Sequence, residues 1–127
     1  MTERLLLDTD VLIDYLRGRE VAVEWLKART EELLISALTV SELVVGVRDE
    51  EEEEALGAFL DLFEIVPVDR SIAFQAGRIR QVHGPASGMS LADAVIAASA
   101  MSREAVLLTF NRRHYPMVER IRAPYER

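Results

Sequence analysis

The chain reads as a three-layer α/β/α domain with a central, mostly parallel sheet of four to five strands, taken in the order 3-2-1-4-5. Two observations carry that reading. Short apolar runs of strand length alternate with segments whose apolar residues recur at helical spacing. Strands separated by helices imply a parallel sheet covered on both faces. The 127 residues are half hydrophobic, which suits one domain, residues 1–127, with a real core. No linker, internal repeat or low-complexity tract divides them beyond one run of glutamates.

The elements follow in order. Arg4 to Leu7 is a short buried strand. Asp10 to Leu16 is a helix with Val11, Leu12, Tyr15 and Leu16 at helical spacing, stopped at Gly18. Val21 to Arg29 is a second helix and Glu32 to Ser36 a second strand. Thr39 to Val47 and Asp49 to Phe63 are helices; the acids Glu50 to Glu54 lie in the first turn of the latter, where they complement the helix dipole. Ile65 to Val68 is a strand that Pro67 assigns to a sheet edge. Ser71 to Val82 is a helix, and Gly84-Pro85-Ala86-Ser87-Gly88 reads as the clearest loop in the chain. Ser90 to Met101 is an alanine-rich helix, apolar enough to pack on the sheet. Ala105 to Thr109 is a fourth strand and Arg120 to Ala123 a short fifth.

Composition narrows the chemistry. There is no cysteine and there are only two histidines, His83 and His114. Disulfides and thiolate zinc sites are excluded, and a metal would be held by oxygens, which points to Mg²⁺ or Mn²⁺. The formal charge of −7 argues against nonspecific coating of nucleic acid, but not against a nuclease whose acids hold cations. Lys27 is the only lysine. Arginine suits phosphate contacts, although genome composition or a thermophilic source gives the same bias. Thr2-Glu3-Arg4 leads into an apolar run too short for a secretory core. No apolar stretch approaches the roughly 20 residues that span a bilayer. The expectation is a soluble, cytoplasmic protein.

Three acids stand at the starts of elements that are otherwise apolar. Asp8 follows Leu5-Leu6-Leu7, with Thr9-Asp10 behind it. Glu42 closes Thr39-Val40-Ser41-Glu42, and Asp93 closes Ser90-Leu91-Ala92-Asp93, both written like capping boxes. Each acid, taken alone, reads as a helix cap. Taken together, carboxylates among apolar neighbours cost several kcal/mol unless paired or bound to metal. No matching set of basic residues accompanies them. With the first and fourth strands adjacent at the switch point, Asp8, Glu42, Asp93 and Thr109-Phe110-Asn111 meet at one edge of the sheet.

These segments resemble a PIN domain, in particular the VapC ribonuclease toxins of toxin–antitoxin pairs. The resemblance covers nearly the whole chain. It rests on Leu7-Asp8-Thr9-Asp10-Val11-Leu12-Ile13-Asp14, on Ile35-Ser36 with Thr39-Val40-Ser41-Glu42-Leu43, on Ser90-Leu91-Ala92-Asp93-Ala94-Val95-Ile96-Ala97-Ala98, and on Leu108-Thr109-Phe110-Asn111-Arg112-Arg113-His114-Tyr115. It implies Mg²⁺- or Mn²⁺-dependent hydrolysis of RNA phosphodiester bonds, with Asp8, Glu42 and Asp93 as metal ligands and Thr109 and Asn111 in the catalytic site. The wider family usually carries a fourth acid where Asn111 stands, which leaves the number of metals open. Asp10 is a support for the site or a cap, and Arg112 and Arg113 are candidates for RNA phosphates. His83 and His114 are read as structural or surface residues.

The resemblance also implies a homodimer and a VapB-like antitoxin. Leu12, Tyr15, Leu16 and Trp25 are the candidate antitoxin contacts, with Trp25 as the anchor; ordinary core packing is the competing account of each. Two other functions stay open at this point. Asp8-Thr9-Asp10 resembles the nucleophile motif of a haloacid-dehalogenase-like phosphatase, with Asp8 as nucleophile, but the late lysine and acid pair of that family are missing. A catalytically inactive PIN-like interaction module is the other.

Overall fold

A computed structural model describes residues 3–127. Its strands are β1 (Arg4–Leu7), β2 (Glu32–Ser36), β3 (Glu64–Val66), β4 (Val106–Leu108) and β5 (Ile121–Arg122). They form one sheet in the order β3-β2-β1-β4-β5, every pair parallel. The helices are α1 (Thr9–Leu16), α2 (Glu20–Lys27), α3 (Ala37–Val45), α4 (Glu50–Leu60), α5 (Arg70–Ser87) and α6 (Leu91–Ser102). The fold class and strand order are those expected from the sequence, and Pro67 does follow an edge strand.

The strand period of two divides β1 between two cores. Leu6 packs with Leu34, Val66 and Leu107 against α5 and α6. Leu5 and Leu7 pack with Ile35, Val106 and Leu108 against α1, α3 and α4. A strand covered on both faces needs an unbroken apolar run, which is why Leu5-Leu6-Leu7 does not alternate. Its register sets Leu7 beside Leu108, so Asp8 and Thr109 leave adjacent strands side by side. Among the described residues, no helix is long and apolar enough to cross a membrane.

Two expectations change. The helix α3 begins at Ala37 rather than Thr39, because the Ser36 side chain accepts a hydrogen bond from Leu38 N at 3.1 Å and caps it directly from the end of β2. Glu42 therefore stands in the second turn and belongs to no capping box. The segment Gly84-Pro85-Ala86-Ser87 is not a loop but the last turn of α5. Gly84 leaves room for the Arg80 guanidinium, and the Ser87 hydroxyl donates to the His83 carbonyl at 2.8 Å. The stop is Gly88, whose φ of 72° lets its N–H close on the Gly84 carbonyl. By contrast, the Ser90–Asp93 capping box forms in both directions.

Candidate active site

Asp8 sits where the sheet delivers a carboxylate to the carboxyl edge of its central strand. The residue is 6% exposed. Its Oδ1 accepts the Thr9 backbone N–H at 2.8 Å. Its Oδ2 accepts the Thr109 hydroxyl at 2.7 Å and the Tyr115 hydroxyl at 3.3 Å. Burial dominates its titration and pushes the carboxyl from an ordinary 3.8 to about 6; Thr109 and Thr9 oppose the rise, and the charges of Asp10 and Asp93 add to it.

Thr109 is wholly buried. Its hydroxyl accepts the Asn111 backbone N–H at 3.1 Å while donating to Asp8. That pair fixes the turn leaving β4 and aims its one proton at the acid. Asn111 reaches the same edge through its backbone; its side chain stays half-buried.

Asp93 arrives from the first turn of α6. Its Oδ2 accepts the Ser90 N–H of the capping box at 3.2 Å, and its Oδ1 lies 3.2 Å from the Tyr115 hydroxyl, whose one proton it shares with Asp8. His114 Nδ1 lies 3.5 Å from Oδ2. Glu42 approaches from the other side. Its Oε1 accepts the Thr9 hydroxyl at 2.6 Å. Thr9 also meets the Thr39 hydroxyl at 3.0 Å; since the Thr9 proton goes to Glu42, Thr39 is the donor of that contact. A relay of two threonines thus holds Glu42 beside the helix that follows Asp8.

The structure brings Asp8 and Asp93 together through one hydroxyl and links Glu42 to the chain beside Asp8. Burial supports only part of the sequence argument. Asp8 is buried and Asp93 half-buried, whereas Glu42 is an exposed residue. Asp10 caps nothing: the side-chain cap of α1 is Asp8. Asp10 instead adds negative charge near Asp8. Arg112 and Arg113 are exposed on a 3-10 turn, Arg112–His114, one residue past Asn111.

Sequence reasoning missed two contacts of the site, Tyr115 and His114, and one buried acid elsewhere on α1, Asp14. Tyr115 is 1% exposed yet touches two acids, and burial together with Asp8 and Asp93 keeps its phenol protonated far above the ordinary range. His114 touches Asp93, although the sequence assigns it only a structural or surface role. Asp14, 1% exposed, receives Tyr125 and Arg127 from the carboxyl-terminal segment. An acid three residues after Val11, on the buried side of α1, is the available signal.

The predicted antitoxin contacts separate in the structure. Leu12 has no exposed surface and belongs to the core. Tyr15 stacks on Phe59 at 4.7 Å. Trp25 is half-buried, with Tyr125 at 6.1 Å and the Arg29 guanidinium 4.7 Å from its ring. Core and local packing therefore engage those three, and Leu16 alone is broadly open, at 46%.

Fold and site together define a nuclease-like α/β domain, with acids gathered at the carboxyl edge of the central strand of a parallel sheet. The family model of the PIN domain matches residues 5–119. Ribonuclease VapC10 of Mycobacterium tuberculosis is 35% identical over 127 residues, covering 95% of this chain and 92% of the relative. Ribonuclease VapC19 of the same organism is 38% identical over 124 residues, covering 94% and 98%. A toxin–antitoxin complex from Klebsiella pneumoniae contains a chain that superposes with a TM-score of 0.83 at 30% identity, covering 97% of this chain and 99% of that one. The chain belongs to the PIN-domain family and, within it, to the VapC ribonucleases.

Proposed function

We propose that this protein is the toxin of a toxin–antitoxin pair, a ribonuclease that hydrolyses RNA phosphodiester bonds with the help of a divalent cation. The observation that carries the reading is the meeting of Asp8, Asp93 and the Glu42 relay at the carboxyl edge of β1, on segments far apart in sequence. The relatives' ribonuclease names and the toxin–antitoxin neighbour support it. So does the family match over 5–119, which favours one PIN domain across residues 1–127. The phosphatase alternative gains nothing, since Lys27 lies in the last turn of α2.

The donor set suits a hard cation. All the candidate ligands are oxygens, and Asp8 is a buried acid without a cationic partner among its hydrogen bonds. Among the described residues, no three His, Cys, Asp or Glu side chains are already grouped as a metal cage. Mg²⁺ tolerates that, because it keeps several waters and needs only one or two direct carboxylates. Asp8 and Asp93 would hold it, with Glu42 engaging through its free oxygen. When bound, such an ion supplies a water of lowered pKa and neutralises charge on the phosphate. Mg²⁺ is the reading here, with Mn²⁺ as its substitute. Thr109 orients Asp8, Asp10 deepens the negative potential, and the Asn111 amide would hydrogen-bond a metal-bound water or the substrate. Arg112 and Arg113 would take flanking phosphates, and an RNA substrate would suit a cytoplasmic protein.

The test is cleavage of RNA by the purified protein, freed of any partner. Cleavage is expected with Mg²⁺ or Mn²⁺ and to stop with EDTA. Glu42→Gln and Asp93→Asn are each expected to lower it about 10-fold or more. RNA that survives with either metal would remove the ribonuclease reading.

For the antitoxin, the structure offers a groove of about 660 Å³ between α1, α3 and α4. Ile13, Leu16, Leu43 and Val47 line it together with the charged Arg17 and Glu42. An amphipathic helix in that groove would lie against Glu42. Leu16→Glu is expected to abolish capture of a co-expressed VapB-like antitoxin while leaving the implied homodimer, measured by light scattering, intact. Undiminished capture would move the docking face elsewhere, and a monomeric wild type would remove the homodimer.

A further inference from the structure

Tyr115 holds a position that core packing alone does not require. Its ring lies among the core residues around β1 and β4, where a phenylalanine would fill nearly the same volume. The hydroxyl is what differs, and it is buried against two acids. It lies 3.3 Å from Asp8 Oδ2 and 3.2 Å from Asp93 Oδ1. Burying a hydroxyl without partners costs free energy, and here the partners are two like charges from separate parts of the chain.

The other contacts of these acids are local or one-sided. Asp93 Oδ2 belongs to the Ser90 cap, and Asp8 is oriented by Thr9 and Thr109. Among the described residues, the Tyr115 hydroxyl is the one side-chain group within hydrogen-bond distance of both. Without it, Asp8 and Asp93 share no side-chain partner, and Asp93 is held on one side only, by Ser90 N–H at Oδ2, with His114 beside it.

We propose that Tyr115 is a positioning residue whose hydroxyl sets the spacing and facing of Asp8 and Asp93, so that both receive a divalent cation with little rearrangement. The inference rests on the metal-dependent reading above. It predicts a particular signature. The hydroxyl arranges the two acids in the metal-free protein, whereas in the loaded protein the acids would be held by the cation as well. Loss of the hydroxyl therefore weakens metal binding more than it slows cleavage at saturating metal.

The experiment is calorimetric titration of Mn²⁺ into the metal-free protein, for wild type, Tyr115→Phe, Asp93→Ala, the double variant and Asp8→Asn. Tyr115→Phe is expected to weaken Mn²⁺ binding about 10-fold or more, the usual scale for groups that orient metal ligands. Its RNA cleavage at saturating Mn²⁺ should stay within a few-fold of wild type. In the Asp93→Ala background the same change should cost less than about 2-fold, because the bridge has already lost one end. Wild-type affinity in Tyr115→Phe, tighter binding, or a full additional loss in the double variant would overturn the inference. With Asp8→Asn unable to bind, those outcomes leave the metal reading standing. A wild type that takes up no Mn²⁺ would overturn that reading and this inference with it.

Discussion

Asp8→Asn is expected to lower RNA cleavage at least about 100-fold, as loss of a direct ligand should exceed loss of an orienting group, and yet to stabilise the metal-free protein at neutral pH. The second effect follows from burial. Desolvation raises the Asp8 carboxyl from 3.8 to about 6 in the folded protein. Between those values the native state binds a proton that the unfolded chain does not. Stability is therefore full below about pH 4 and falls as pH rises through 6. Above that, the ionised acid costs about 3 kcal/mol, each tenfold change in proton affinity being worth about 1.36 kcal/mol. An asparagine keeps the acceptor for Thr9 N–H and removes the charge, while the Thr109 and Tyr115 hydroxyls lose their acceptor at Oδ2 and offset part of the gain. Urea unfolding in EDTA should show Asp8→Asn more stable than wild type by up to that amount at pH 7.5, and the gap should close near pH 4. Adding Mn²⁺ should stabilise wild type and leave the variant unmoved, since ligand that binds only the native state shifts unfolding by mass action. A wild type more stable than Asp8→Asn at pH 7.5 in EDTA would mean that Asp8 is not a strained acid.

That conflict between stability and site is what the sequence exposed most clearly. A run of three leucines ending in an acid has few structural uses, and the strand neighbours needed only the alternation of periods to be placed. The limits of β2 agree to the residue because polar Glu32 and capping Ser36 bound its apolar core. The start of α3 was harder, since Ser36 and Thr39 are both good caps and local pattern does not choose between them. The strand decides: β2 ends at Ser36 and leaves it the first free side chain. The end of α5 misled because Gly and Pro usually break helices, whereas Pro85 there removes one donor and the turn survives. Tyr115 and the Asp14 partners were not legible because the contacts of Tyr115 with Asp8, and of Tyr125 and Arg127 with Asp14, join residues more than 100 positions apart. Such contacts leave no periodicity to read.

Asp14→Ala is expected to cost about 3 kcal/mol, the low end for removing one partner of a buried ion pair, or roughly 10 °C in Tm for a chain of this size. The low end applies because Arg19 and Arg127 are 43% and 41% exposed at the side chain and return to water, whereas Asp14 is 2% exposed. Burial pushes the Asp14 carboxyl up. Hydrogen bonds from Arg127 and Tyr125, and the charges of Arg127 and Arg19, outweigh it and hold the acid below its usual range. The sign is thus opposite to that of Asp8: this stabilisation is present at neutral pH and is lost as pH falls below 3.8 through the depressed value. The cluster also anchors the carboxyl-terminal segment. Tyr125 OH donates to Oδ2 at 2.9 Å and Arg127 Nη2 to Oδ1 at 3.0 Å. The Tyr125 ring packs 5.2 Å from Phe110, over which Arg127 lies at 4.4 Å. Limited proteolysis should therefore remove the last residues of Asp14→Ala much faster than those of wild type. Asp14→Asn, which keeps the shape but not the charge, should fall between the two. If unfolding shows Asp14→Ala within about 0.5 kcal/mol of wild type, the usual range for neutral surface changes, the cluster is not an anchor.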